Sequence, residues 1–217
     1  MSTTRIAANI LAADLACLGH EVAAAVRSGA DRVHVDVMDL GGADVTVAPR
    51  VCRALKTVTG APLEVHLLVK PAERLVVAFA DAGADLVVFH PEASDDVRRT
   101  GTVAREHGCQ VGLALAAGTP LDVLDGLLGE VDLVLVTGAT RPGGEPPARS
   151  VLRWIRALRA RLAEQGRTIA IEVDGGVDAR NAAALVAAGA DALVVESGRC
   201  RSTDRASTIA ALKRLAS

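Results

Sequence analysis

Ala188-Gly189-Ala190-Asp191 stands between an Ala/Leu/Val-rich stretch and the run Ala192-Leu193-Val194-Val195. Near copies occur at Ser28-Gly29-Ala30-Asp31 and Ala82-Gly83-Ala84-Asp85, again between an apolar helical pattern and a Val-rich run. A glycine there ends a helix in the left-handed cap, and a strand begins two residues later. Gly83 lies 54 residues after Gly29, and Gly189 lies 106 after Gly83. Both intervals fit a βα unit of about 27 residues, and eight such units fill the 217-residue chain. The reading is an α/β fold, a (β/α)8 TIM barrel forming a single domain over residues 1–217. An open doubly wound sheet is the rival, and the eightfold count favours the barrel.

Working outward, strands are predicted at 5–10, 31–37, 62–68, 85–90, 110–115, 131–137, 168–174 and 191–196. Helices are predicted at 14–28, 49–58, 71–82, 94–107, 120–128, 148–165, 178–188 and 202–216. The run Arg141-Pro142-Gly143-Gly144-Glu145-Pro146-Pro147 reads as a βα loop and not as a linker between domains.

Half of the residues are apolar and 23% are charged, with a net charge of -2. That composition excludes a disordered tail. It gives no basic stripe for nucleic acid, and with Phe79, Phe89 and Trp154 as its aromatics it has no stacking platform for single strands. No stretch has the length of a membrane-spanning helix, and no signal peptide is read, so the expected location is the cytoplasm. Cys17, Cys52, Cys109 and Cys200 are far apart and read as reduced thiols.

The informative residues sit inside the predicted strands. In a barrel the active site lies at the C-terminal ends of the strands, so ionisable residues at spacing two near those ends are the candidates. The second strand carries His34 and Asp36 on one face, and the third carries Glu64 and His66. The fourth ends in His90, and the seventh carries Glu172 and Asp174. Any one of these is readable as a buried structural group. Four strands with such groups at matching depth point to a metal or catalytic cluster, because unpaired buried charge is costly. None of the three lysines, Lys56, Lys70 and Lys213, falls inside a strand, which disfavours Schiff-base chemistry. Gly175-Gly176 is readable either as a backbone anion cradle or as a plain turn.

Ile6-Ala7-Ala8-Asn9-Ile10-Leu11-Ala12-Ala13-Asp14, His34-Val35-Asp36-Val37-Met38-Asp39, Glu64-Val65-His66-Leu67 and Glu172-Val173-Asp174-Gly175-Gly176-Val177 together resemble the ribulose-phosphate 3-epimerase family. The likeness covers essentially the whole chain. It implies the same barrel, and one divalent metal ion (zinc, ferrous iron or manganese) held by His34, Asp36, His66 and Asp174. It implies that Asp36 and Asp174 are the catalytic acid–base pair on opposite faces of a ketose phosphate. They would invert C3 through a metal-stabilised enediolate, with D-ribulose 5-phosphate to D-xylulose 5-phosphate as the default pair. By the same resemblance the substrate is contacted by Asn9, Met38, Leu68, Gly143, Gly144, Gly175, Gly176, Glu196, Ser197 and Arg199. The family also implies a homo-oligomer, a dimer or a hexamer.

The chain departs from the family pattern in places. The first-strand Ser is Asn9, and the Met after the third-strand His is Leu68. The loop after the second strand is Leu40-Gly41-Gly42-Ala43-Asp44-Val45, and the loop after the sixth keeps only its Gly-Gly. Where the family has Gly-Ser around the phosphate, this chain has Glu196-Ser197-Gly198-Arg199. A carboxylate there repels a phosphate dianion unless Arg199 or Arg141 offsets it. Two further readings therefore stand beside the first: an epimerase or isomerase of a different, possibly unphosphorylated sugar, and a non-catalytic barrel.

Overall fold

The computed structural model describes residues 4–41, 44–138, 149–196 and 202–215. Its strands are β1 (Arg5–Asn9), β2 (Arg32–Gly41), β3 (Leu63–Leu68), β4 (Leu86–Phe89), β5 (Gln110–Ala116), β6 (Leu133–Thr137), β7 (Ala170–Val173) and β8 (Ala192–Glu196). Each pairs in parallel with the next, and β1 pairs with both β2 and β8, so the sheet closes on itself. Among the described residues seven α-helices surround it: α1 (Leu18–Arg27), α2 (Pro49–Thr59), α3 (Glu73–Asp81), α4 (Val97–Glu106), α5 (Arg149–Glu164), α6 (Ala182–Ala188) and α7 (Ser202–Leu215). This is the (β/α)8 TIM barrel that the repeat predicts.

The repeated junctions act as clamps at the N-terminal ends of the strands. Asp31 accepts the backbone N–H of Ile6 at 2.6 Å, Asp85 that of Leu63 at 2.7 Å and Asp191 that of Ile171 at 2.8 Å. A fourth clamp lies at Asp132, which accepts the N–H of Val111 at 2.8 Å. Each carboxylate thus satisfies an N–H in the first two residues of the preceding strand and ties that strand to the start of the next. Each also pairs with a cation from a surrounding helix: Lys213, Lys56, Arg159 and Arg105 meet Asp31, Asp85, Asp191 and Asp132 in that order. The fourfold recurrence explains why the sequence repeat counts in multiples of two units. Asp132 escapes the sequence pattern because Gly129-Glu130-Val131 stands where the other junctions carry Gly-Ala.

The expected helix at 120–128 is not formed. A 3-10 turn at Leu121–Leu124 takes its place, with Asp125 extended and Gly126 at φ +71°. Two glycines and a proline in ten residues leave too little helix propensity to continue. The helix expected from 14 starts as a 3-10 turn at Leu15–Cys17, capped by Asp14 accepting from Ala16 N–H at 2.9 Å, before α1 begins. The helix expected from 178 begins only at Ala182. β2 runs past its expected end and folds back to pair antiparallel with Asp44–Val45.

Strand alternation sorts the apolar residues into two cores. The outward set, with Val33, Val35, Val37, Leu63, Val65 and Leu67, packs beneath the helices. The inward set fills the barrel and is small: Ala7, Leu86, Val88, Ala114, Leu133, Leu135 and Val194. It lies mainly on β4–β6 and leaves the β2, β3 and β7 side of the interior to polar groups. Gly112 belongs to this interior, since a Cβ there would meet Val88 Cγ2 at 2.9 Å.

Candidate active site

β2, β3 and β7 point ionisable side chains inward at two depths. Nearer the N-terminal ends lie Arg32, His34, Glu64 and Glu172, and nearer the mouth lie Asp36, His66 and Asp174. Cross-strand register sets these neighbours, since His34 pairs with Glu64 and Asp36 with His66. Arg32, His34, Asp36, Glu64, His66 and Glu172 are all buried. A buried set of this size persists only if its members satisfy one another or share a ligand.

At the mouth, Asp36 Oδ1 lies 3.2 Å from His34 Nε2 and 3.0 Å from His66 Nδ1. One ligand atom from each of His34, Asp36, His66 and Asp174 can be chosen so that all lie within 4.8 Å of one another. Two imidazole nitrogens and two carboxylates in so small a volume are a donor set that suits zinc, ferrous iron or manganese. The outer nitrogens of both rings are engaged as well. His34 Nδ1 lies 3.0 Å from Glu64 Oε1, and His66 Nε2 lies 3.2 Å from His90 Nε2. His90 in turn approaches Glu92 at 3.4 Å. Such outer contacts orient imidazoles toward a cation.

The electrostatics follow from burial and these contacts. Burial alone would raise Asp36, but the hydrogen bonds from His34 and His66 outweigh it and hold its carboxyl well below the usual range. Burial, reinforced by the charge of Asp36, pushes Asp174 up to about 6 against the pull of His34. Burial opposes a charge on His34, yet Glu64 and Asp36 raise its pKa well above the ordinary value. Burial lowers His66, and the charge of His34 adds to this against Asp36. On the floor, Glu64 is drawn down to about 2 because His34 and Arg32 overcome its burial. Glu172 is raised well above its ordinary value by burial and by Glu64. Neither of its oxygens makes a hydrogen bond among the described residues.

The remaining predicted site residues divide. Asn9 is buried beside the cluster, where its amide donates to Asp36 Oδ2 at 2.7 Å and its carbonyl oxygen accepts from Leu11 N–H at 2.8 Å. Met38, three residues before the end of β2, pairs in register with Leu68 at the end of β3, and both are half-buried. Gly175 and Gly176 follow Asp174 with φ of +102° and +65°, a path that favours glycine. The N–H of Gly175 donates to Asp174 Oδ1 at 2.7 Å, and Asn181 donates to the carbonyl of Gly176 at 2.8 Å. Glu196 ends β8 in register with Asn9 and is exposed. Gly143, Gly144, Ser197 and Arg199 lie outside the described residues. His90, expected from the sequence as the fourth strand's member of the cluster, joins the constellation, and so does Arg32, which the sequence reading did not single out. The signal for Arg32 was the same period of two, since it precedes His34 by two.

A closed parallel barrel with a His/Asp cluster where its strands end defines an enzyme of the TIM-barrel class. The chain belongs to the ribulose-phosphate 3-epimerase family, whose model matches residues 5–199. That family places it among the isomerases that epimerise carbohydrates. It is 45% identical over 199 residues to ribulose-phosphate 3-epimerase 1 of Cupriavidus necator, covering 89% of this chain and 83% of that one. It is 43% identical over 195 residues to ribulose-phosphate 3-epimerase of Escherichia coli K12, covering 88% and 87%. Among solved structures, tryptophan synthase subunit alpha from Legionella pneumophila superposes with a TM-score of 0.69 at 14% identity, covering 98% of this chain and 92% of that one. Phosphoribosyl anthranilate isomerase from Thermus thermophilus gives 0.66 at 17%, covering 97% of each. At those identities the likeness speaks for the fold alone. Among the described residues no helix is long and apolar enough to cross a membrane.

Proposed function

We propose that this protein interconverts D-ribulose 5-phosphate and D-xylulose 5-phosphate by inverting C3. The observation that carries the reading is the convergence of His34, Asp36, His66 and Asp174 within 4.8 Å at the strand ends. The family membership supplies the substrate class. His34 Nε2, His66 Nδ1 and an oxygen from each Asp would hold one divalent cation. When bound, that cation stabilises the negative charge that develops beside the carbonyl as the C3 proton leaves, a contribution of several kcal/mol.

The chain's own groups do the rest. Inversion needs one group on each face of a flattened substrate. Asp36 reaches in from β2 and Asp174 from the residue after β7, three strands away around the barrel. One takes the C3 proton and the other returns a proton from the opposite face. Asn9 holds Asp36 Oδ2 and so fixes which oxygen faces the substrate. Met38 and Leu68 offer an apolar wall, and the Gly175-Gly176 backbone permits close approach.

Turnover in deuterated water tests the reading. Deuterium should appear at C3 of both ketose phosphates, and a protein that exchanges no proton of any ketose phosphate removes it. A second reading, a different and possibly unphosphorylated sugar, is favoured by Glu196, whose carboxylate ends β8 beside Asn9 where a phosphate would meet repulsion. A panel of ketoses with and without phosphate separates the two.

A further inference from the structure

The interior of the barrel is lined by two chemistries. On β4 and β6 it is aliphatic, with Leu86 and Leu133. On β2 and β3 it is ionic, with Arg32 and Glu64, although Glu64 is the register partner of Leu86. Packing alone does not ask for this, because a buried ion pair is commonly no more stabilising than apolar side chains of the same volume. The charges have a specific geometry instead. Glu64 is 1% exposed and divides its two oxygens between two partners. Oε2 accepts from Arg32 Nη1 at 2.9 Å, and Oε1 faces His34 Nδ1 at 3.0 Å. His34 is itself fully buried, and its other nitrogen faces the site.

We propose that Glu64, clamped by Arg32, is a positioning residue that fixes the ring of His34 with its Nδ1–H inward and its Nε2 lone pair toward the cation. The role rests on the metal centre proposed above. A histidine that ligates through Nε2 must carry its proton on Nδ1, and a buried acceptor for that N–H selects both tautomer and ring orientation. Arg32 keeps the acceptor from rotating away. His66 shows the complementary arrangement. It presents Nδ1 to the site, and its Nε2 is held by His90 at 3.2 Å. Glu64 touches neither the cation nor the substrate, so its effect should appear in ion affinity and kcat and not in substrate binding.

The test replaces the pair by apolar residues of similar size, Arg32→Met with Glu64→Leu, so that neither member of the ion pair is left buried without the other. Zinc affinity measured by chelator competition should fall by about 10- to 100-fold, the usual effect of losing such an outer partner. The metal-free melting temperature should stay level or rise, and kcat should fall while KM holds. Arg32→Met with Glu64→Gln, which removes the competing donor and leaves the amide oxygen free to accept from Nδ1–H, should recover most of the zinc affinity. A doubly substituted protein that binds zinc as tightly as its parent overturns the positioning role and leaves the metal centre standing. A parent that takes up no zinc removes the metal centre and the role together. Long-range proton–nitrogen spectra of the zinc-loaded parent add a check that needs no variant, since a His34 proton found on Nε2 overturns the proposal.

Discussion

Asp36 and Asp174 offer carboxylate oxygens within 4.8 Å of each other, yet their proton affinities diverge. His34 and His66 hold Asp36 far below the ordinary range against its burial, while burial and the charge of Asp36 itself lift Asp174 to about 6. Two like groups from β2 and β7 are therefore made unlike by their surroundings, a pattern typical of sites that move protons or gather a cation.

Asp36→Asn and Asp174→Asn should each lower turnover by several orders of magnitude, since each removes a ligand and a proton carrier together. The check is kcat for ketose phosphate epimerisation alongside the rate of C3 deuterium exchange. Either variant retaining more than about a tenth of the parent rate is incompatible with the proposed roles.

Cation uptake should release protons. At neutral pH the release comes from His34, whose pKa is raised, and below about 6 a further proton comes from Asp174. A cation binds the unprotonated forms, so affinity should weaken as pH falls, most steeply below about 6. Calorimetry in buffers of different ionisation enthalpy reads the proton count, and affinity that stays constant from pH 8 to pH 5 contradicts the assignment. Exhaustive chelation should abolish turnover, and re-addition of zinc, iron(II) or manganese should restore it.

Glu196→Gly should lower KM for a phosphorylated ketose by roughly threefold to tenfold, by removing a carboxylate from the phosphate end of the mouth. KM for unphosphorylated ketoses should not improve. If neither changes, Glu196 does not face the substrate.

Asp132→Ala should destabilise the barrel by about 1 kcal/mol, because it removes the acceptor of Val111 N–H from a partly exposed clamp. Chemical denaturation measures this, and Asp132→Asn, which retains an acceptor, should lie closer to the parent. An Asp132→Ala protein of parental stability would show that Asp132 is not a clamp like the three at Asp31, Asp85 and Asp191.

Glu73 gives a pH-dependent prediction away from the site. Its carboxylate accepts from Ser94 and Thr100 hydroxyls at 2.5 and 2.7 Å and from Asp95 N–H at 2.9 Å, and these bonds outweigh burial to bring it to about 2. A depressed pKa stabilises the folded state above the unfolded value, and that stability is lost as pH falls through the folded one. Glu73→Gln should therefore lower the melting temperature at pH 7, and the gap should narrow between about pH 4.5 and pH 2. A gap unchanged across that range counts against the assignment.

The barrel was legible because its cause is local and periodic. Gly29, Gly83 and Gly189 end helices, and the aspartates two residues on clamp strands, so the fold is written as a repeat. The two-residue period of strands likewise puts His34 with Asp36, Glu64 with His66, and Glu172 with Asp174 on one face of their strands. The segment after β5 was misread for an equally local reason: an apolar run suggests a helix, but Gly126 and Gly129 do not let one continue.

What the chain order could not convey is who meets whom across the interior. Asp36 and Asp174 are 138 positions apart in sequence, and only closure of the sheet brings their oxygens together. The splitting of their proton affinities, the grip of Asn9 on Asp36 and the Arg32–Glu64–His34 chain all depend on burial and strand register. Periodicity within one strand fixes the face a side chain takes, whereas its partners are set by the stagger between strands and the curvature of the closed sheet.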